Sequence, residues 1–133
     1  MPHILVIDDN AANLKLVCDI LECEGYSVDR ATDAEAALVK VTASRFDLVL
    51  TDVGLPGMDG LALTRILKAN ELTRRVPVIA VTAFAMKGDD QRAIKAGCDG
   101  YITKPIDTRR LVKQIEGYLS GGARRAGHNG DFR

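Results

Sequence analysis

Residues 4 to 10 read Ile4-Leu5-Val6-Ile7-Asp8-Asp9-Asn10, and their reading decides the fold. Four consecutive apolar residues run straight into two adjacent carboxylates. An unbroken apolar run rich in β-branched side chains marks a strand covered on both faces, as in a parallel sheet. The carboxylates at its end repel one another. Burying either is costly unless a cation or hydrogen-bond donor stands near.

Outward from this stretch, short apolar runs alternate with helical patterns. Leu14, Val17, Cys18 and Leu21 recur at helical spacing, with Asn10 as cap and Gly25 as stop. Tyr26 to Arg30 alternates as a less buried second strand. Ala34, Ala37, Leu38 and Val41 mark a second helix capped by Thr32 or Asp33. Phe46 to Leu50 is expected as the third strand, and Leu63, Ile66 and Leu67 mark the third helix. Pro77 opens a fourth strand, Val78 to Val81, at a position where proline is tolerated. Ala93 and Ile94 belong to a short, weakly apolar helix that Gly97 stops. Tyr101-Ile102 form the fifth strand, and Leu111, Val112, Ile115 and Leu119 the last helix.

Five strands alternating with five helices predict an α/β fold with a doubly wound, five-stranded parallel sheet. Residues 1–119 read as one domain. Residues 120–133 hold four glycines and no periodicity, and are expected to be a flexible tail.

The 133 residues include 18 basic and 18 acidic side chains, a balance that offers no electrostatic case for a nucleic-acid or membrane partner. No apolar stretch approaches the ~20 residues of a membrane helix. The amino terminus enters an apolar run with no basic region before it, so no signal peptide is expected. Three cysteines, Cys18, Cys23 and Cys98, fit a reducing cytoplasm better than a disulfide framework. Cys18 and Cys23 are five apart on a helix, so they point in different directions, and each reads as a small buried hydrophobe. His3 and His128 are isolated and receive no role.

In open α/β sheets, ligands bind beyond the carboxyl ends of the strands, where strand order reverses. The first strand ends on Asp8-Asp9, the third on Thr51-Asp52, the fourth on Thr82 and the fifth on Thr103-Lys104-Pro105. The second ends on Arg30-Ala31-Thr32, without acid or lysine, as an edge strand in a 2-1-3-4-5 order would. Asp8, Asp9, Asp52, Thr82 and Lys104 therefore converge on one site. Three carboxylates about one point need a cation, and hard oxygen ligands favour Mg2+. Histidine and cysteine are absent from these ends, so a zinc site, a histidine triad and a thiolate nucleophile all lack parts. A carboxylate can itself act as nucleophile and form an aspartyl phosphate. Asp52 is the natural candidate.

The ordered set resembles a response-regulator receiver domain of the CheY-like superfamily across residues 3–119. It comprises Asp8-Asp9, Asp52 within Thr51-Asp52-Val53-Gly54-Leu55-Pro56-Gly57-Met58-Asp59-Gly60, Thr82-Ala83, Tyr101 and Lys104-Pro105. The stretches Asp8 to Asn13 and Thr82 to Asp89 further resemble single-domain DivK-type regulators. The resemblance implies a phosphorelay protein whose Asp52 accepts a phosphoryl group from a histidine kinase or histidine phosphotransfer protein. It implies Mg2+ held by Asp8, Asp9, Asp52 and the carbonyl of Gly54, with Lys104 and Thr82 at the phosphoryl oxygens. Thr82 and Tyr101 would form a switch reshaping the face of helix four, strand five and helix five, with protein–protein contact as output. Lys104-Pro105 would be a cis peptide. The protein would be a monomer or a weak phosphorylation-dependent dimer, catalysing only its own phosphorylation and dephosphorylation. Gly54 departs from the many relatives with a larger side chain there, and Phe84, two residues after Thr82, would provide some cover instead.

Taken singly, each feature has a blander reading: a solvated helix cap, a turn aspartate, a surface lysine, a core tyrosine. Four alternatives stand beside this reading. A haloacid-dehalogenase-type phosphohydrolase needs an Asp-x-Asp after the first strand and a capping insertion, and neither is present. A flavodoxin-like carrier needs hydroxyl and glycine residues to cradle phosphate in the first loop. A module cut from a hybrid kinase or longer regulator, and an interaction module independent of phosphorylation, keep all the same residues.

Overall fold

The computed structural model describes residues 2–82 and 89–120. The apolar runs form strands β1 (His3–Ile7), β2 (Ser27–Ala31), β3 (Leu48–Asp52), β4 (Val78–Thr82) and β5 (Gly100–Thr103). Between and after them lie α1 (Ala11–Cys23), α2 (Ala34–Ala43), α3 (Gly60–Ala69), α4 (Asp89–Ala96) and α5 (Thr108–Leu119). The strands pair in parallel in the order β2-β1-β3-β4-β5, the doubly wound topology expected from the sequence.

Alternation along each strand distributes the core to two sides. Leu5, Ile7, Val49, Val78 and Ala80 face Leu63, Leu67, Ala93 and Ala96 of α3 and α4, beside Ala34 and Ala37 of α2. Ile4, Val6, Leu48, Leu50, Ile79 and Val81 face Leu14, Val17, Cys18 and Leu21 of α1 and Leu111 and Ile115 of α5. Burying each large aliphatic side chain contributes about 1.5–3 kcal/mol. Both sheet faces being covered explains why the central strands are apolar until their carboxyl ends.

Local signals set where the helices begin and end. Asn10 Oδ1 accepts from the Asn13 amide at 3.0 Å, Asp33 Oδ1 from Ala36 at 2.7 Å and Asp59 Oδ1 from Ala62 at 2.8 Å. Each such cap stabilises its helix by about 1 kcal/mol. Gly25 and Gly97 follow α1 and α4 with φ of 94° and 103°, a region that favours glycine.

Several expectations need correction. β3 begins and ends two residues later than Phe46–Leu50, because Asp52 itself pairs with Val81 in the sheet register. Phe46 lies below the strand instead, buried, with its ring centroid 4.3 Å from that of His3. His3, given no role from sequence, ties three segments at that end of the sheet. Its Nε2 lies 3.0 Å from Asp29 Oδ2, its Nδ1 3.0 Å from the Arg45 carbonyl, and its amide donates to Asp47 Oδ2 at 2.7 Å. Ile66 is 41% exposed, because the inward stripe of α3 runs through Leu63, Thr64 and Leu67. In α5, Val112 and Leu119 are half-buried, and Tyr118 takes the buried place, packed against Gly100 where a Cβ would overlap its phenol. Ser120 caps α5, its amide donating to the Glu116 carbonyl at 3.0 Å, so it belongs with the helix rather than the tail. Ala83, Phe84 and residues 121–133 lie outside the described residues. Among the described residues, no helix is long and apolar enough to cross a membrane.

Of the cysteines, Cys18 and Cys98 are buried, whereas Cys23, at the last position of α1, is exposed and is not the core residue its composition suggested. Burial pushes both buried thiols up, that of Cys98 to about 11. Iodoacetamide at pH 8 is therefore expected to add a single label to the folded protein, at Cys23, and to reach the other two thiols only after denaturation. Intact mass with peptide mapping checks this; rapid labelling of Cys98 in native buffer would contradict the packing at the start of β5.

Candidate functional site

The chain runs outward from β1 to β2, then crosses back past β1 to β3, so strand order reverses at the β1–β3 boundary. Connections diverge to opposite faces there and leave a crevice at the carboxyl ends of the strands. Asp8 and Asp9 follow β1 on one side of this crevice, and Asp52 ends β3 on the other. One carboxylate oxygen from each of the three lies within 4.8 Å of the others. Asp8 and Asp52 are buried, at 5% and 7% exposure, while Asp9 opens to solvent.

Backbone donors hold the acids in place. Asn10 N donates to Asp8 Oδ1 at 2.8 Å, and Gly54 N to Asp52 Oδ1 at 3.2 Å. Lys104 reaches across from the end of β5. Its Nζ donates to Asp52 Oδ2 at 3.1 Å and stands 3.8 Å from Asp8 Oδ2. Its own amide donates to the Thr82 carbonyl at 2.7 Å, which fixes the end of β5 beside β4. The Lys104–Pro105 peptide is cis. Thr82 and Tyr101 join Asp52, Gly54 and Lys104 around a cavity of about 340 Å3.

Two contributors received no role from the sequence. Gly60 opens α3 directly against Asp52: a Cβ there would overlap the Asp52 carbonyl, and its amide donates to the Val53 carbonyl at 3.0 Å. The Asp59-Gly60 pair at a helix start is the signal that could have found it. Arg92 of α4 also lines the cavity, and nothing in the sequence marks it. Gly54 does the opposite of Gly60, since a Cβ built on it meets no atom of the described residues within 4 Å.

The electrostatics favour a cation. Burial raises the Asp8 carboxyl above its ordinary value; Asp52 and Asp9 raise it further, while the Asn10 amide and Lys104 pull it down. A single lysine does not offset three neighbouring carboxylates, and a donor set made wholly of hard oxygens suits Mg2+. The residues present thus fit a divalent ion.

A buried carboxylate with a lysine at its oxygen and two more acids beside it, at the switch point of a 2-1-3-4-5 sheet, is the site of a phosphoacceptor signalling domain rather than of an enzyme acting on external substrates. The family model described as "Response regulator receiver domain" matches residues 4–116, and the chain belongs to that family. It is 43% identical over 116 residues to the polar-differentiation response regulator DivK of Brucella anthropi, covering 87% of this chain and 94% of that protein. DivK of Brucella ovis matches to the same extent. Among solved structures, the receiver domain of a sensor histidine kinase from Pseudomonas aeruginosa is 34% identical with a TM-score of 0.83, over 90% of this chain and 98% of that one. That protein carries a magnesium ion in its active-site cleft. A receiver domain of a histidine kinase from Syntrophus aciditrophicus is 33% identical with a TM-score of 0.85, over 91% of this chain and 92% of that one. Membership of this family makes a histidine kinase the class of phosphodonor partner.

A carboxyl group whose pKa is raised by folding resists ionisation in the fold. Its cost is present above the unfolded value, at neutral pH, and is relieved as pH falls. Asp8→Asn is therefore expected to raise the metal-free melting temperature by a few degrees at pH 7, with the gain shrinking toward pH 4. Added Mg2+ should stabilise the wild type more than the variant. Thermal unfolding at both pH values, with and without Mg2+, checks the sign.

Proposed function

We propose that Asp52 is the phosphoacceptor and that Asp8, Asp9, Asp52 and the Gly54 carbonyl hold Mg2+ beside it. The observation that carries this is the placing of Lys104 Nζ 3.1 Å from an oxygen of Asp52, inside a cluster of three carboxylates. When bound, the ion supplies positive charge at the phosphoryl oxygens. In the transfer, a carboxylate oxygen of Asp52 forms a new O–P bond as the N–P bond of the donor phosphohistidine breaks. The imidazole leaves and takes up a proton. Lys104 Nζ stabilises the negative charge that spreads over the equatorial oxygens, which is most of what such a reaction requires of a protein. Hydrolysis reverses the occupancy: water attacks phosphorus, the O–P bond breaks, and phosphate leaves the free carboxylate.

Thr82 and Tyr101 are the switch pair in this reading. The threonine hydroxyl turns toward a phosphoryl oxygen, the tyrosine ring moves inward behind it, and the face of α4, β5 and α5 changes shape. Their lining of the same cavity as Asp52 supports this. The working unit is a cytoplasmic receiver domain of residues 1–119, charged by a histidine kinase or a histidine phosphotransfer protein. It is a monomer or a weak phosphorylation-dependent dimer and signals by protein–protein contact.

Incubation with acetyl phosphate and Mg2+ is expected to add the mass of one phosphoryl group to the wild type and none to Asp52→Asn. An unmodified wild type that still binds Mg2+ would favour an interaction module that works without phosphorylation. A Cβ on Gly54 meets none of the described residues within 4 Å, so Gly54→Leu is expected to cover one approach to the phosphoryl group. Its phosphoryl half-life is expected to lengthen, measured by mass after removal of the donor; an unchanged half-life would mean that water arrives from another side.

A further inference from the structure

The cavity beside Asp52 has a wall that the mechanism above leaves unused. Arg92 and Ala93 of α4 line it together with Asp52, Thr82 and Lys104. Ala93 is buried and anchors α4 to the core, while Arg92, the residue before it, is exposed and borders the cavity. Among the described residues lining it, Arg92 and Lys104 are the two cations.

Charge balance gives Arg92 something to do. Three carboxylates, a divalent ion and Lys104 sum to neutrality. Phosphorylation exchanges a single carboxylate charge for about two on the phosphoryl group, which leaves roughly one negative charge uncompensated. Gly54 has no side chain to answer it, and none of the described residues lies within 4 Å of where its Cβ would be. Arg92 belongs to the first turn of α4. Parallel strand connections place that turn at the carboxyl end of the sheet, on the same side as the acceptor. A guanidinium is also the side chain whose planar, multiple donors best match phosphoryl oxygens.

We propose that Arg92 is a phosphoryl-binding residue, closing from α4 onto the phosphoryl group of Asp52, balancing its extra charge and tying the position of α4 to the state of the acceptor. The proposal rests on Asp52 as acceptor. It adds to the Thr82 and Tyr101 switch a direct ionic link between the phosphoryl group and α4.

The test uses the full chain with Mg2+ and beryllofluoride as the phosphoryl mimic. Hydrogen–deuterium exchange over residues 89–96 is followed in wild type, Arg92→Gln, Arg92→Lys and Asp52→Asn. The mimic is expected to slow exchange in α4 of the wild type. Arg92→Gln should weaken mimic binding roughly tenfold, the scale of one charge-assisted hydrogen bond, and lose most of the α4 protection. Arg92→Lys should recover part of the affinity and less of the protection. Thermal unfolding without the mimic verifies that the exposed substitution leaves the fold intact. Wild-type affinity and wild-type α4 protection in Arg92→Gln would overturn the role of Arg92 alone. A wild type that binds no mimic, like Asp52→Asn, would overturn the acceptor assignment and this proposal with it. The two failures are thus told apart by the wild-type arm.

Discussion

Three carboxylates held within 4.8 Å of one another are the constraint around which the structure is organised. Two buried carboxylates at that separation repel by on the order of 3 kcal/mol at an effective dielectric of about 20. Lys104 relieves part of this by reaching both Asp52 and Asp8, but one lysine does not offset three carboxylates. The fold tolerates the strain because the acids sit at strand ends, where backbone amides of Asn10 and Gly54 can turn toward them. The same repulsion makes the crevice receptive to a cation, and a cation there is receptive to phosphoryl oxygens. A stability cost in the resting protein is the source of its chemistry.

The surrounding architecture keeps these charges where they are. Parallel register sets the end of β3 beside the ends of β1 and β4, and the crossover past β1 opens the crevice between them. The bare Cα of Gly60 lets α3 start against the Asp52 backbone. At the far end of the sheet, His3 ties β1 to Asp29, Arg45 and Asp47. Lys68, largely buried, donates to the carbonyl of Val76 at 2.9 Å and to Asp99 at 2.7 Å, joining α3 to the entries of β4 and β5. The end opposite the site is thus tightly stitched.

Much of this was legible in the residues, for physical reasons that can be named. Strands covered on both faces must be apolar throughout, so Ile4 to Ile7 and Val78 to Val81 announce themselves. Helix starts need a side-chain acceptor, so Asn10 and Asp33 stand out. Errors arose where one-dimensional pattern has no access to packing. Phe46 is as apolar as a strand residue, but its ring lies against His3 below the sheet. Ile66 and Cys23 have core-like side chains and lie on outward faces of their helices. Tyr118 carries a hydroxyl, yet fills a slot that exists only because position 100 is glycine.

By itself the sequence determined the element order, the parallel sheet and the residue types at each strand end, because apolar periodicity, caps and turn residues act over a few neighbours. It also determined the chemistry available to them, since three acids, a lysine and a hydroxyl without histidine or thiol permit little besides metal and phosphoryl binding. Tertiary structure alone decided the distances: which oxygen of Asp52 meets Lys104, how deeply Asp8 is buried, and how closely Gly60 presses on the Asp52 backbone. It alone brought Arg92 to the cavity wall, 40 residues along the chain from Asp52. Contacts between segments far apart in sequence depend on how helices settle on the sheet, and no local pattern encodes that.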